Sequence, residues 1–259
     1  SAGMMTGLYS MTMTGGAAVA AAFTVPIDDR FGGDWRKALA SWVILAMVAV
    51  VVWIPQLRQT HSGSYIRPAP LWGNKIAWAI TIFMGSQSFV FYTFVAWIPT
   101  YLTDRGYDRT EAGTVLAAGQ FAAIVGSLVI PIVAGRFADQ RWAGIVTVCS
   151  SAAGLLGLLC TDVWAAFWCM LVLFGPGSAL GLALLFMVRR SRSAEQTNQV
   201  SGMAQCLGYV LAAAGPFGLG VVHDVTGSWA AAFSVIAVAL CTQTWGGWVA
   251  GRNVHMTAE

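Results

Sequence analysis

Apolar residues along this chain do not alternate with polar ones. They gather in long runs parted by short polar breaks. Eight runs stand out, at 7–25, 38–54, 76–98, 114–134, 143–159, 163–188, 200–222 and 229–249. A helix of about 20 apolar residues crosses the hydrocarbon of a bilayer, whereas a barrel strand needs only about half that length and strict alternation. The pattern therefore predicts an all-α membrane protein with about eight transmembrane helices.

The breaks are mostly short, as in Asp28-Asp29-Arg30 with Gly32-Gly33, Thr103-Asp104-Arg105-Gly106, and His223-Asp224. One connection is longer. Residues 56–75 carry Pro68, Pro70 and two glycines, the composition of a linker between two helical bundles. The expected organisation is a helix pair in 1–55, the linker in 56–75, and a six-helix bundle in 76–259.

Charge gives the arrangement a direction. With the loops assigned alternately to two sides, one side collects nine basic residues (Arg58, Arg67, Lys75, Arg136, Arg141, Arg189, Arg190, Arg192 and Arg252) against three acids. The other side holds five basic residues against eight acids. Excess Lys and Arg mark the cytoplasmic face. Both termini are therefore expected in the cytoplasm, and the chain in the plasma (inner) membrane. Tryptophans fall near the ends of the runs, where an indole is half buried with its N–H in water.

Composition narrows the chemistry. Charged residues are 10% of the 259 positions and hydrophobic ones 57%, against about 25% charged in a soluble domain. No Asp or Glu lies in the core of a run, and the three histidines are expected in loops or the tail. The five cysteines form no C-x-x-C pair and read as small apolar residues. Neither catalysis nor a metal or other cofactor is expected, and nucleic acid is not an expected partner.

The runs do contain uncharged polar groups and helix breakers. Gln87, Ser88 and Tyr92 lie in the third, with Ser88 and Tyr92 four apart on one helix face. Gln120 lies in the fourth, Gln205 and Tyr209 in the seventh, and Tyr9 in the first. A glutamine in hydrocarbon is costly unless it is paired or wetted. Two readings stay open: amides that bond helix to helix, or amides that line a watery cavity. Pro131, Pro176 and Pro216 interrupt runs, and Gly175-Pro176-Gly177 is the strongest local break, either similar to the discontinuous helices that frame midplane sites or a simple packing kink.

The loop Gly135-Arg136-Phe137-Ala138-Asp139-Gln140-Arg141 resembles the G-x-x-x-D-(R/Q)-x-G-R/K loop of the Major Facilitator Superfamily. Gly135, Asp139 and Arg141 fall on the motif, and its downstream glycine is missing. The stretch 85–102, with Phe91-Tyr92 and Trp97-Ile98-Pro99, resembles the seventh helix of the cyanate and nitroimidazole permeases. Thr6-Gly7-Leu8-Tyr9-Ser10 and Trp35-Arg36-Lys37-Ala38-Leu39 resemble their fifth and sixth helices.

This resemblance implies that the eight runs are helices five to twelve of a twelve-helix fold, with the first four absent from the sequence. It implies transport of a small solute by alternating access, and a coupling proton or ion for the full protein. Gln87, Ser88, Tyr92, Gln120, Gln205 and Tyr9 would face the cavity, and Gly135, Asp139 and Arg141 would form a gating loop. The alternative expectation is a non-transporting membrane subunit or receptor-like protein.

Overall fold

The computed structural model describes residues 30–57, 71–161 and 163–256, with scattered positions between 4 and 28. These residues are helical apart from turns, and none forms a strand. The chain falls into two compact units, Gly15–Pro68 and a larger one spanning Ala69–Glu259 together with Ser1–Thr14.

In the smaller unit, Gly32 and Gly33 take positive φ angles of 71° and 80° and turn the chain. Asp34 caps α1 (Trp35–Ser41) through the Arg36 N–H and pairs with Lys37 at 3.3 Å. After a one-residue tightening at Trp42, α2 (Val43–Leu57) follows. Arg36–Pro55 is long and apolar enough to cross a membrane as one span. The Trp42 indole N–H donates to Thr24 Oγ1 at 3.1 Å.

The larger unit is a bundle of six helices: α3 (Lys75–Asp104), α4 (Arg109–Ala134), α5 (Arg141–Cys160), α6 (Ala165–Arg190), α7 (Ala194–Thr226) and α8 (Trp229–Ala250). All six can span a membrane by length and composition. Their starts are written in the sequence. Asn74 caps α3, Asp108 and Glu111 form a reciprocal capping box on α4, and Ser193 and Ser228 cap α7 and α8.

The packing has an internal symmetry. The α3 helix runs parallel to α7, with Gly85 against Gly208 and Thr93 against Gly215. In the same way α4 runs parallel to α6, with Gly119 against Cys169 and Leu173, and Gly126 against Phe174 and Ser178. Antiparallel to α3 lies α8, and antiparallel to α6 lies α5. The exchange of α3-α4-α5 with α6-α7-α8 maps each of these pairings onto another, as expected of two three-helix repeats of opposite direction. The two central helices are α3 and α6, with 72% of each apolar stretch buried, against 28% for α7.

Several expectations need adjustment. The third run continues through Pro99 to Asp104, because a proline in the last turns of a long helix frees only one carbonyl. His223 and Asp224 close the last turn of α7 and are not in a loop; that helix ends at Gly227, in the left-handed conformation.

The expected break at Gly175-Pro176-Gly177 does not form, and α6 is continuous across it. Pro176 removes the N–H that would meet the Val172 carbonyl, and the Ser151 hydroxyl of α5, shared between the Thr147 carbonyl at 3.2 Å and that of Val172 at 3.3 Å, reaches it instead. The two glycines serve close approach. A Cβ at Gly175 would strike Ser151 and the Thr147 carbonyl, and one at Gly177 would strike the Ala123 backbone. The first run and the linker fall largely outside the described residues.

Candidate functional site

Two polar regions stand out in the bundle. The first lies along the seam of α3 and α7. Gly85 and Gly208 let the two backbones meet, since a Cβ on Gly85 would stand 3.2 Å from Gly208 Cα. Just beyond this contact, Gln87 and Ser88 are buried. The Gln87 amide donates to Ser88 Oγ at 2.7 Å and approaches the Met84 sulfur at 3.4 Å.

One turn further, Tyr92 is 43% exposed, edge-on to Phe91 and 6.4 Å from the ring of Tyr209 on α7. One turn before Tyr209, half-buried Gln205 donates to Ser201 Oγ at 2.8 Å. The structure thus brings Gln87 to Ser88, and it places Tyr92 and Gln205 on adjoining helices. Gln120 stands half-buried on α4. Tyr9 lies outside the described residues.

The second region closes one end of the bundle. Arg190, the last residue of α6, is 2% exposed. Its Nε donates to the Ala250 carbonyl at 2.8 Å, and its Nη2 to the Gly251 carbonyl at 3.1 Å and to the Gln140 side chain. Gln140 in turn donates its backbone N–H to the Gly251 carbonyl at 2.9 Å. The carbonyl of Arg190 accepts from the Met256 N–H at 2.8 Å, which folds the tail back so that Met256 is fully buried. One guanidinium therefore ties together α6, the α4–α5 connection and the end of α8. Helix ends leave carbonyls without intrahelical partners, and here a cation meets them.

The three expected gating residues gather in the same place. Asp139 and Arg141 form an ion pair at 2.7 Å, and Asp139 also accepts from the Arg141 backbone N–H at 2.9 Å. These two donations from Arg141 hold the Asp139 carboxyl below its ordinary range. The Arg141 guanidinium lies 4.7 Å from the Trp248 ring, and Gly135 offers its carbonyl to Arg189.

The sequence reading missed two residues. Arg190 resembled any arginine of a basic loop, and nothing in its neighbours signalled burial. Gln243 of α8 is fully buried, and neither of its amide atoms finds a partner among the described residues. The signal for it was available, because it is the one amide in the run 229–249.

The fold and these two regions define a multi-pass membrane protein built from inverted three-helix repeats. The chain belongs to the Major Facilitator Superfamily, whose sequence profile matches residues 1–216. It is similar to an uncharacterized transporter, YycB, of Bacillus subtilis strain 168, with 37% identity over 98% of this chain. It is also similar to the 2-nitroimidazole transporter of Escherichia coli K12, at 34% over 96% of the chain, and to that organism's cyanate transport protein CynX, at 24% over 87%. The chain spans 64% of the length of the first two relatives and 59% of the third.

Proposed function

We propose that this chain forms the greater part of a transporter that carries a small solute across the plasma membrane by alternating access. The observation that carries the reading is the polar face at the α3–α7 seam, in a chain that belongs to this superfamily. Tyr92 is open at the surface of the bundle, half-buried Gln205 stands on the adjoining helix, and Gln87 and Ser88 are buried one turn from Tyr92. Within a span, such groups are costly unless something polar meets them.

In this reading the described bundle is the second half of a two-bundle protein, joined through residues 56–75 to helices of the first. Tyr92 and Gln205 line the pathway, and Gln87, Ser88, Gln120 and Tyr9 are the further candidates for solute contact. The donors and acceptors are neutral, so the solute is held by hydrogen bonds and ring contact. Small planar solutes with hydrogen-bonding groups fit this chemistry, and 2-nitroimidazole, named for one relative, is of that class.

The basic end faces the cytoplasm, and both termini with it. There Gly135, Asp139 and Arg141 act as a gating loop whose contacts form in one state and break in the other. A proton or ion couples to transport through groups outside the described bundle. The proposal involves no catalytic step and no cofactor.

The test is uptake or efflux of labelled 2-nitroimidazole by the full-length protein, with Tyr92→Ala and Gln205→Leu compared at equal abundance. Both variants are expected to lose most of the flux. Full flux in both would remove this face from the pathway. A non-transporting subunit would show no flux with any solute in reconstituted vesicles.

A further inference from the structure

A cavity of about 550 Å³ opens at the basic end of the bundle, between the first turn of α3 and the last turns of α8. Its walls include Trp78, Trp245, Val249 and Val254, and its charged lining residues are Lys75 and Arg252. It lies well away from the polar face. Trp78 and Tyr92 are separated by about 20 Å along the same helix at 1.5 Å per residue.

Three observations limit what can occupy it. The charge is of one sign, since both ionisable lining groups are cations and neither has an acidic partner among the described residues. The walls are apolar, and the Trp78 indole N–H is already spent on the Trp72 carbonyl at 2.8 Å, so Trp78 presents its ring. The position is interfacial. Lys75 begins a span, Trp245 is 50% exposed within the last turns of another, and Arg252 lies two residues past its end.

An aqueous anion such as phosphate would meet the cations but gain nothing from the tryptophans. A neutral apolar molecule would leave the cations unused. An occupant with an anionic head and an apolar body, lying at the membrane surface, satisfies both.

We propose that this cavity is a binding site for one anionic phospholipid. Its phosphate rests between Lys75 and Arg252, and the upper part of one acyl chain lies against Trp78, Trp245 and Val249. A zwitterionic lipid brings its own cation to the same place and loses the advantage. Two basic groups near a membrane surface correspond to about a 30-fold preference for the anionic lipid at low ionic strength.

The site is testable by native mass spectrometry of the purified full-length protein, titrated with phosphatidylglycerol or phosphatidylcholine of matched chains. The wild type is expected to retain one phosphatidylglycerol with about that 30-fold preference. The double variant Lys75→Gln/Arg252→Gln is expected to lose the preference, and Lys75→Gln alone about half of it on a logarithmic scale. Trp245→Ala should weaken retention with both cations present. Equal retention of the two lipids by the wild type, or an unchanged preference in the double variant, overturns the proposal. So does displacement of the lipid by millimolar inorganic phosphate, which would mark a site for free phosphate. Monodisperse elution of the variants shows that they are folded.

Discussion

The two ends of the bundle are closed by different chemistry. At the basic end, charged and amide groups reach backbone carbonyls: Arg190 to Ala250 and Gly251, Arg189 to Gly135, and Gln140 to Phe137. At the opposite end the closure is aromatic. Tyr101 packs edge-on to Trp229 and Phe233, with ring centroids 5.4 and 5.3 Å apart, and Trp97 and His223 also meet Trp229. Hydrogen bonds run there from Tyr101 Oη to the Leu158 carbonyl at 2.5 Å, from the Trp97 indole to the Pro216 carbonyl at 2.8 Å, from the Trp229 indole to Asp104 at 3.1 Å and, longer, from Arg105 to the Leu159 carbonyl at 3.4 Å.

The difference bears on what a single side chain carries. At the basic end one buried guanidinium joins three segments, whereas the aromatic end spreads its contacts over several rings.

Substitutions can break this contrast, and they rank by expected size. Arg190→Met should cost the most, about 3 kcal/mol, because it strands the buried Ala250 carbonyl at the end of α8 together with the Gln140 side-chain oxygen. Detergent-based equilibrium unfolding reads this directly, and a cost below that of Tyr101→Phe would reverse the ranking of the two ends.

Gly177→Val tests the packing midway between them. Its side chain has no room beside the Ala123 backbone, so a loss of about 2 kcal/mol is expected in the same assay. Tyr101→Phe removes one hydroxyl bond but keeps the ring stack, and about 1 kcal/mol should follow.

The smallest effect belongs to Asp139. Its side chain is 41% exposed, so water screens the pair with Arg141 and its removal should cost less than that of the Tyr101 hydroxyl. The carboxyl is held below its ordinary range in the folded protein. Its contribution is thus fully present above the unfolded value of about 4 and is lost as pH falls through the depressed one. Wild type and Asp139→Asn should therefore differ in stability at pH 6 and converge in acid. A gap that widened in acid would contradict the assignment.

Much of this was legible in the residues. The apolar runs located all six helices of the bundle, with ends that differ by up to six positions where a helix continues into polar residues. The helix starts at Asp108 with Glu111, and at Ser193, rest on local bonds that hydropathy alone did not reveal.

Contacts made by distant parts of the chain were not legible. Gly175-Pro176-Gly177 looked like a break because nothing nearby could meet the Val172 carbonyl; the donor, Ser151, comes from another helix. Arg190 looked like a surface charge because the carbonyls that bury it lie 60 residues further on, at Ala250. The polar candidates stand out in apolar runs, but their grouping depends on how α3 meets α7. Tyr92 and Tyr209 come together only through the glycine contact at 85 and 208.

The central claim is that this seam faces a watery solute pathway. Cysteine accessibility tests it most directly, in the full-length protein freed of its native cysteines and embedded in membrane vesicles. Tyr92→Cys and Gln205→Cys should react readily with a charged, water-soluble thiosulfonate, while Val238→Cys on the exposed apolar flank of α8 should react slowly. Reaction at positions 92 and 205 as slow as at 238 would place the seam in lipid or in dry packing, and the transport pathway would have to lie elsewhere.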